Sequence, residues 1–89
     1  MDSLGLTRMQ TQRLVREYLD KGRHMEAMVV AKKGIKEFAH GFEFRLLLAE
    51  VYEAQGDLAK AAEQLEQVLA AVPENESARA AQARLRGRR

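Results

Sequence analysis

Residues 42–75 read FEFRLLLAEVYEAQGDLAKAAEQLEQVLAAVPEN, two apolar stripes with a break between them. Phe44, Leu47, Leu48, Val51 and Tyr52 recur at spacings of three and four, which puts them on one helical face. Gln55-Gly56-Asp57 interrupts the pattern. Gly56 accepts a positive φ just past a helix end, and Asp57 is suited to cap the next helix. Leu58, Ala61, Ala62, Leu65, Val68 and Leu69 rebuild an apolar stripe, and Pro73 stops it. The stretch predicts a helical hairpin of 34 residues whose small alanines let the two helices pack closely.

These residues resemble a tetratricopeptide repeat. The first helix of that family carries a large apolar residue, a large-small pair and an aromatic; Arg45, Leu48-Ala49 and Tyr52 stand at those places. Gly56-Asp57-Leu58 matches the family's turn, Ala61, Leu65 and Val68 its packing positions in the second helix, and Pro73 its closing proline. Arg45 departs from the usual aromatic, and Val68 is larger than the usual Ala.

Shifting the unit back by 34 lays residues 8–41 under residues 42–75. Leu14 then falls on Leu48, Tyr18 on Tyr52, Gly22 on Gly56 and Ala27 on Ala61, each a packing or turn position. Residues 8–41 therefore read as a second, more diverged copy. Ala27, Ala31 and Gly34 form a small-residue stripe that permits close approach by another helix. Gly34 inside a helix costs about 1 kcal/mol relative to Ala, so a packing reason is expected. Ala39-His40-Gly41 replaces a closing proline, with Gly41 as the expected C-terminal cap.

At the start, Asp2 or Ser3 caps a helix that begins early, or Thr7 caps one that begins near Arg8. After Pro73, Asn75 is a good N-cap and Glu76 favours the first turn. Ala78, Ala81 and Leu85 keep a weak apolar stripe, so residues 76–89 are either the start of a third repeat or a terminal capping helix. Arg86-Gly87-Arg88-Arg89 is expected to fray. The resulting expectation is one all-α domain over residues 1–89, with helices at 4–21, 24–39, 42–55, 58–71 and 75–86. The resemblance implies that they stack as antiparallel hairpins into a short right-handed superhelix.

Composition narrows the function. The chain has 89 residues and no cysteine, which excludes disulfides and thiolate metal sites. It has no apolar run of about 18 residues that would span a membrane. MDSLGLTRMQ lacks a basic start followed by an apolar run, so no secretory signal is expected and a cytoplasmic address is. The net charge of +2 is unevenly spread. Residues 1–41 hold eight Lys/Arg against five Asp/Glu, residues 42–78 two against eight, and residues 79–89 five Arg and no acid. The terminal arginines lack the interleaved aromatics of single-strand binders, and the acidic middle repels phosphate, so nucleic acid is not expected.

No paired-carboxylate, nucleophile-base or phosphate-loop signature is present, and the chain reads as non-enzymatic with no cofactor. His24 stands four residues after Asp20, but Lys21-Gly22-Arg23 turns the chain between them, and a packed turn histidine is the expectation. The resemblance implies instead a concave face, lined by the first helix of each pair, that takes a protein or peptide partner. Met9, Gln12, Arg13 and Arg16, with Asp20 at the margin, would line it from the first helix. Glu43, Leu46, Glu50 and Glu53 would line it from the third, and Ser77, Ala80 and Arg84 from the fifth. Arg13 and Arg16 would meet acids of the partner, and Glu50 and Glu53 bases. A heat-shock carboxylate clamp, known in this family, is not expected: the matching places hold Gln12, Arg16, Leu47, Ser77 and Ala81, and only Arg16 suits. Met25, Val29 and Val30 are more apolar than an outer face needs. They suggest an alternative, a homo-oligomeric assembly unit, unless residues 1–7 fold over them. A small chaperone for an apolar client segment is a third reading.

Overall fold

A computed structural model describes residues 6–38 and 40–88. Among them the chain forms five helices and no strand: α1 (Arg8–Asp20), α2 (His24–Glu37), α3 (Phe42–Ala54), α4 (Leu58–Ala71) and α5 (Glu76–Gly87). The all-α expectation holds, and the boundaries differ where capping chemistry overrides the apolar pattern.

α1 begins at Arg8, not at residue 4. Thr7 Oγ1 accepts from the Gln10 amide at 3.1 Å, and Gln10 Oε1 accepts from the Thr7 amide at 3.0 Å. This reciprocal box satisfies two end donors at once, and it fixes the start. Asp2 and Ser3 lie outside the described residues. At the far end, Asn75 Oδ1 accepts from the Ala78 amide at 2.9 Å and starts α5. Arg86 and Gly87, expected to fray, are helical, and Arg88 is tied to α3.

The two hairpin turns have the same geometry. Gly22 and Gly56 take φ of 74° and 82°. Arg23 and Asp57 follow at φ −89°, ψ 72° and φ −91°, ψ 76°. Each donates its amide back at 2.8 Å, to the carbonyls of Tyr18 and Tyr52 respectively. The side chains differ: Asp57 Oδ1 caps the Lys60 amide at 3.1 Å, whereas Arg23 gives α2 no side-chain cap.

The α2–α3 connection departs from expectation. Phe38 ends α2 in extended backbone, His40 takes the positive φ of 55°, and Gly41 has φ −70°. Gly41 is thus not the left-handed cap. Its small size is explained by crowding, since a Cβ there would lie 3.2 Å from Ile35 Cα and 3.3 Å from the Phe38 carbonyl oxygen.

Gly34 has the packing reason its helical position demands. A Cβ on it would lie 2.6 Å from Cγ of Phe44, well inside van der Waals contact. The Phe44 ring of α3 therefore rests on bare backbone of α2, and it is fully buried. Phe38 stacks on Phe44 with centroids 5.6 Å apart and an interplanar angle of 15°, and the Arg8 guanidinium covers Phe38.

Val15, Ala27, Ala31, Leu48, Val51, Ala61, Leu65, Val68, Ala78 and Leu85 form the continuous core. Val30, expected on an outer face, is 8 % exposed and belongs to this core. Leu47, expected inside, is only half-buried. Arg45, in place of the family's aromatic, donates to Gln64 Oε1 at 3.1 Å. α3 packs against α1, α2 and α4, and α4 against α5. The helices form two rows, α1–α3–α5 and α2–α4, and within the first row α1 also packs directly on α3.

Candidate functional site on the concave face

The row α1–α3–α5 lines a continuous recess. Its first part is bounded by Met9, Gln12, Arg13 and Arg16 of α1, Glu43, Leu46, Leu47 and Glu50 of α3, and Ser77. Its second part shares Leu46, Glu50 and Ser77 and continues over Glu53, Ala80, Ala81 and Arg84. The face thus brings together every partner-facing residue read from the sequence except Asp20. Helical spacing explains the arrangement, since residues three and four apart share a side of a helix and the 34-residue period repeats that side.

The charges of this face are largely engaged with one another. Arg16 Nη2 donates to Glu50 Oε2 at 2.6 Å. Arg84 grips Glu53 with two bonds, Nε to Oε2 at 3.0 Å and Nη2 to Oε1 at 2.8 Å. Arg88 Nη1 adds a third at 3.0 Å. Arg8 pairs with Glu43. The hydrogen bond from Arg84 holds the Glu53 carboxyl below its ordinary range, with burial opposing and Arg88 assisting. The bonds to Glu50 and Glu53 raise Arg16 and Arg84 in turn, against desolvation. Planar guanidinium groups suit such two-point contacts with carboxylates.

Three residues of the face were left out of the partner-facing set read from the sequence. Leu47 and Ala81 line it; the apolar stripes assigned both to packing, although both stand at the clamp-matching places. Arg88 reaches it because it lies four residues after Arg84, a spacing that was legible. Arg13 is exposed and has no ion-pair partner among the described residues. Met9 is 69 % exposed, and it adjoins half-buried Leu46 and Leu47 in the lining of the same recess.

The opposite face differs in character. Met25 and Val29 of α2 are 65 % and 63 % exposed. They share a shallow recess with Tyr18, Glu26 and buried Val30. Among the described residues no group of three or more His, Cys, Asp or Glu is placed to hold a metal ion, and no helix is long and apolar enough to cross a membrane.

Comparison with known proteins agrees with this architecture. Neither curated proteins nor solved structures give a match. The family model described as tetratricopeptide repeat matches residues 18–85, most of the chain, with three of its five helices in full and most of α5. With two equivalent glycine turns and helical hairpins stacked in two rows, the chain belongs to the tetratricopeptide repeat family.

Proposed function

We propose that this protein is a non-enzymatic interaction module whose concave face takes a protein segment bearing an aliphatic side chain beside a carboxylate. Tetratricopeptide repeats generally mediate protein–protein interaction. The observation that carries the finer reading is the internal pairing of the face. Arg16, Glu50, Glu53 and Arg84 bond one another, so a partner that engaged them would first have to break those bonds. What is left to read a partner is the apolar patch of Met9, Leu46 and Leu47 and the guanidinium of Arg13. This differs from the sequence-based expectation that Arg16, Glu50 and Glu53 set specificity.

The recess is built from helices, and the pairs Arg16–Glu50 and Arg84–Glu53 tie its walls together. Binding then costs the partner its ordering entropy and the module little. Methionine at the rim suits the task, since its flexible thioether adapts to side chains of differing shape. Arg13 contributes register, a role for which interfacial charge is better suited than for raw affinity.

Selection of a displayed random-peptide library on the immobilised protein tests the reading. Peptides with Leu, Ile or Met within one helical turn of Asp or Glu are expected to enrich. Arg13→Glu is expected to shift the enriched flanking residue to Lys or Arg. Enrichment of basic peptides on the unmodified protein, or an unchanged profile with Arg13→Glu, contradicts it.

A further inference from the structure

We infer that the outer faces of α2 and α4 are the two halves of an interface with a second copy of this chain. Met25, Val29, Lys32 and Lys36 are spaced by four, three and four residues. At about 100° per residue they fall on one line along α2. The line lies opposite the buried residues Ala27, Ala31 and Gly34, and all four of its members are exposed. The positions one repeat later are Ala59, Glu63, Glu66 and Ala70 of α4. They too are exposed, opposite buried Ala61, Leu65 and Val68.

The same structural line is therefore apolar and basic in one hairpin, small and acidic in the next. Lys32, Lys36, Glu63 and Glu66 have no ion-pair partner among the described residues, although Lys33, one position away, pairs with Glu37 at 3.0 Å. Met25 and Val29 leave large apolar side chains in water beside them, and paired exposure of that kind marks contact surfaces.

Geometry lets both halves be used at once. α2 and α4 are each joined or packed to α3 through connections of three or four residues, which makes each antiparallel to α3 and therefore parallel to the other. A two-fold axis running along the helices lays each α2 on the α4 of the second copy in the same direction. Met25 then approaches the partner's Ala59, where the small side chain leaves room. Lys32 comes over the partner's Glu66, with Lys36 and the partner's Glu63 each about one helical turn from that pair. The contact occurs twice and closes on itself, as an isologous dimer requires. An anionic surface would meet the lysines but be repelled by the glutamates in the neighbouring row, so a second copy fits both rows where a polyanion fits one.

Charge reversal with complementation tests this. Sedimentation equilibrium over a concentration series is expected to show a dimer for the unmodified chain. Lys32→Glu with Lys36→Glu, or Glu63→Lys with Glu66→Lys, places like charges in both contacts and is expected to weaken the dimer at least about tenfold. An equimolar mixture of the two variants is expected to restore it as a mixed dimer, because each contact regains opposite charges. All four positions are exposed, and circular dichroism confirms that each variant is folded. Arg13→Glu, on the other face, is expected to leave the mass unchanged. A monomer at the highest soluble concentration, reversals that leave association intact, or variants that do not complement each other would overturn the inference.

Discussion

Arg16 and Glu50 occupy the same position in successive repeats, 34 residues apart, and bond each other at 2.6 Å across the concave face. The next equivalent position is Arg84, which turns instead to Glu53, one helical turn further along α3. Opposite charges at one repeat position thus become struts between helices, and the face is stiffened by the residues that seemed most available to a partner. Each exposed strut contributes less than about 1 kcal/mol by itself. Exchanging the pair, Arg16→Glu with Glu50→Arg, is expected to leave thermal stability nearly unchanged, whereas each single reversal lowers the melting temperature. A double-mutant cycle checks the coupling.

Gly34→Ala is expected to destabilise the chain although alanine is the better helix former. The intrinsic gain of about 1 kcal/mol is outweighed by driving a methyl group into the Phe44 ring, and overpacking of this kind costs about 1–3 kcal/mol. Phe44→Leu removes the ring from the fully buried site and is expected to relieve part of the penalty in the double variant. Urea titrations of the four proteins provide the measurement.

Arg23 and Asp57 share backbone geometry at the start of α2 and α4, but only Asp57 caps its helix. Arg23→Asp transfers the cap to the first hairpin and places a negative charge at a helix N-terminus. A gain of about 0.5–1 kcal/mol is expected, with loss only of the long 3.9 Å pair to Glu26. Asp57→Ala is expected to lose about as much. Unfolding midpoints in urea decide both.

Glu53 supplies a pH dependence of known sign. Its side chain is 14 % exposed, and bonds from Arg84 and then Arg88 favour the charged carboxylate in the folded chain. Its contribution is complete above the ordinary carboxyl value of 4.5 and is lost as pH falls through the lower folded value. Stability of the unmodified chain is therefore expected to drop more steeply below pH 4.5 than that of Glu53→Gln. The two curves converge in acid, and urea midpoints measured across the acid range test this.

Much of the fold was legible because it rests on periodic features. Gly22 and Gly56, one period apart, announced the two hairpin turns, and Gly34 announced a close approach without naming Phe44. The rest depended on tertiary or capping detail. Thr7 and Gln10 cap each other, which starts α1 at Arg8, the later of the two starts the sequence offered. His40, not Gly41, takes the left-handed backbone, and glycine at 41 answers instead to crowding against Ile35 and Phe38. Val30 is buried although its neighbour Val29 is not, a distinction of one position that apolar content alone does not make. On the concave face, angular position on each helix found the lining residues. Which charges cancel depends on the offset between helices, and that offset appears only when α1, α3 and α5 are packed.

Residue-resolved binding tests the central claim most directly. Amide and side-chain NMR spectra of the labelled protein would be followed while an aliphatic-acidic peptide from the selection is added. The account predicts shifts at Met9, Gln12, Arg13, Leu46 and Leu47, with the guanidinium signals of Arg16 and Arg84 retaining their paired positions. Perturbation centred on the outer faces of α2 and α4, or release of Arg16 and Arg84 from Glu50 and Glu53 on binding, would contradict it.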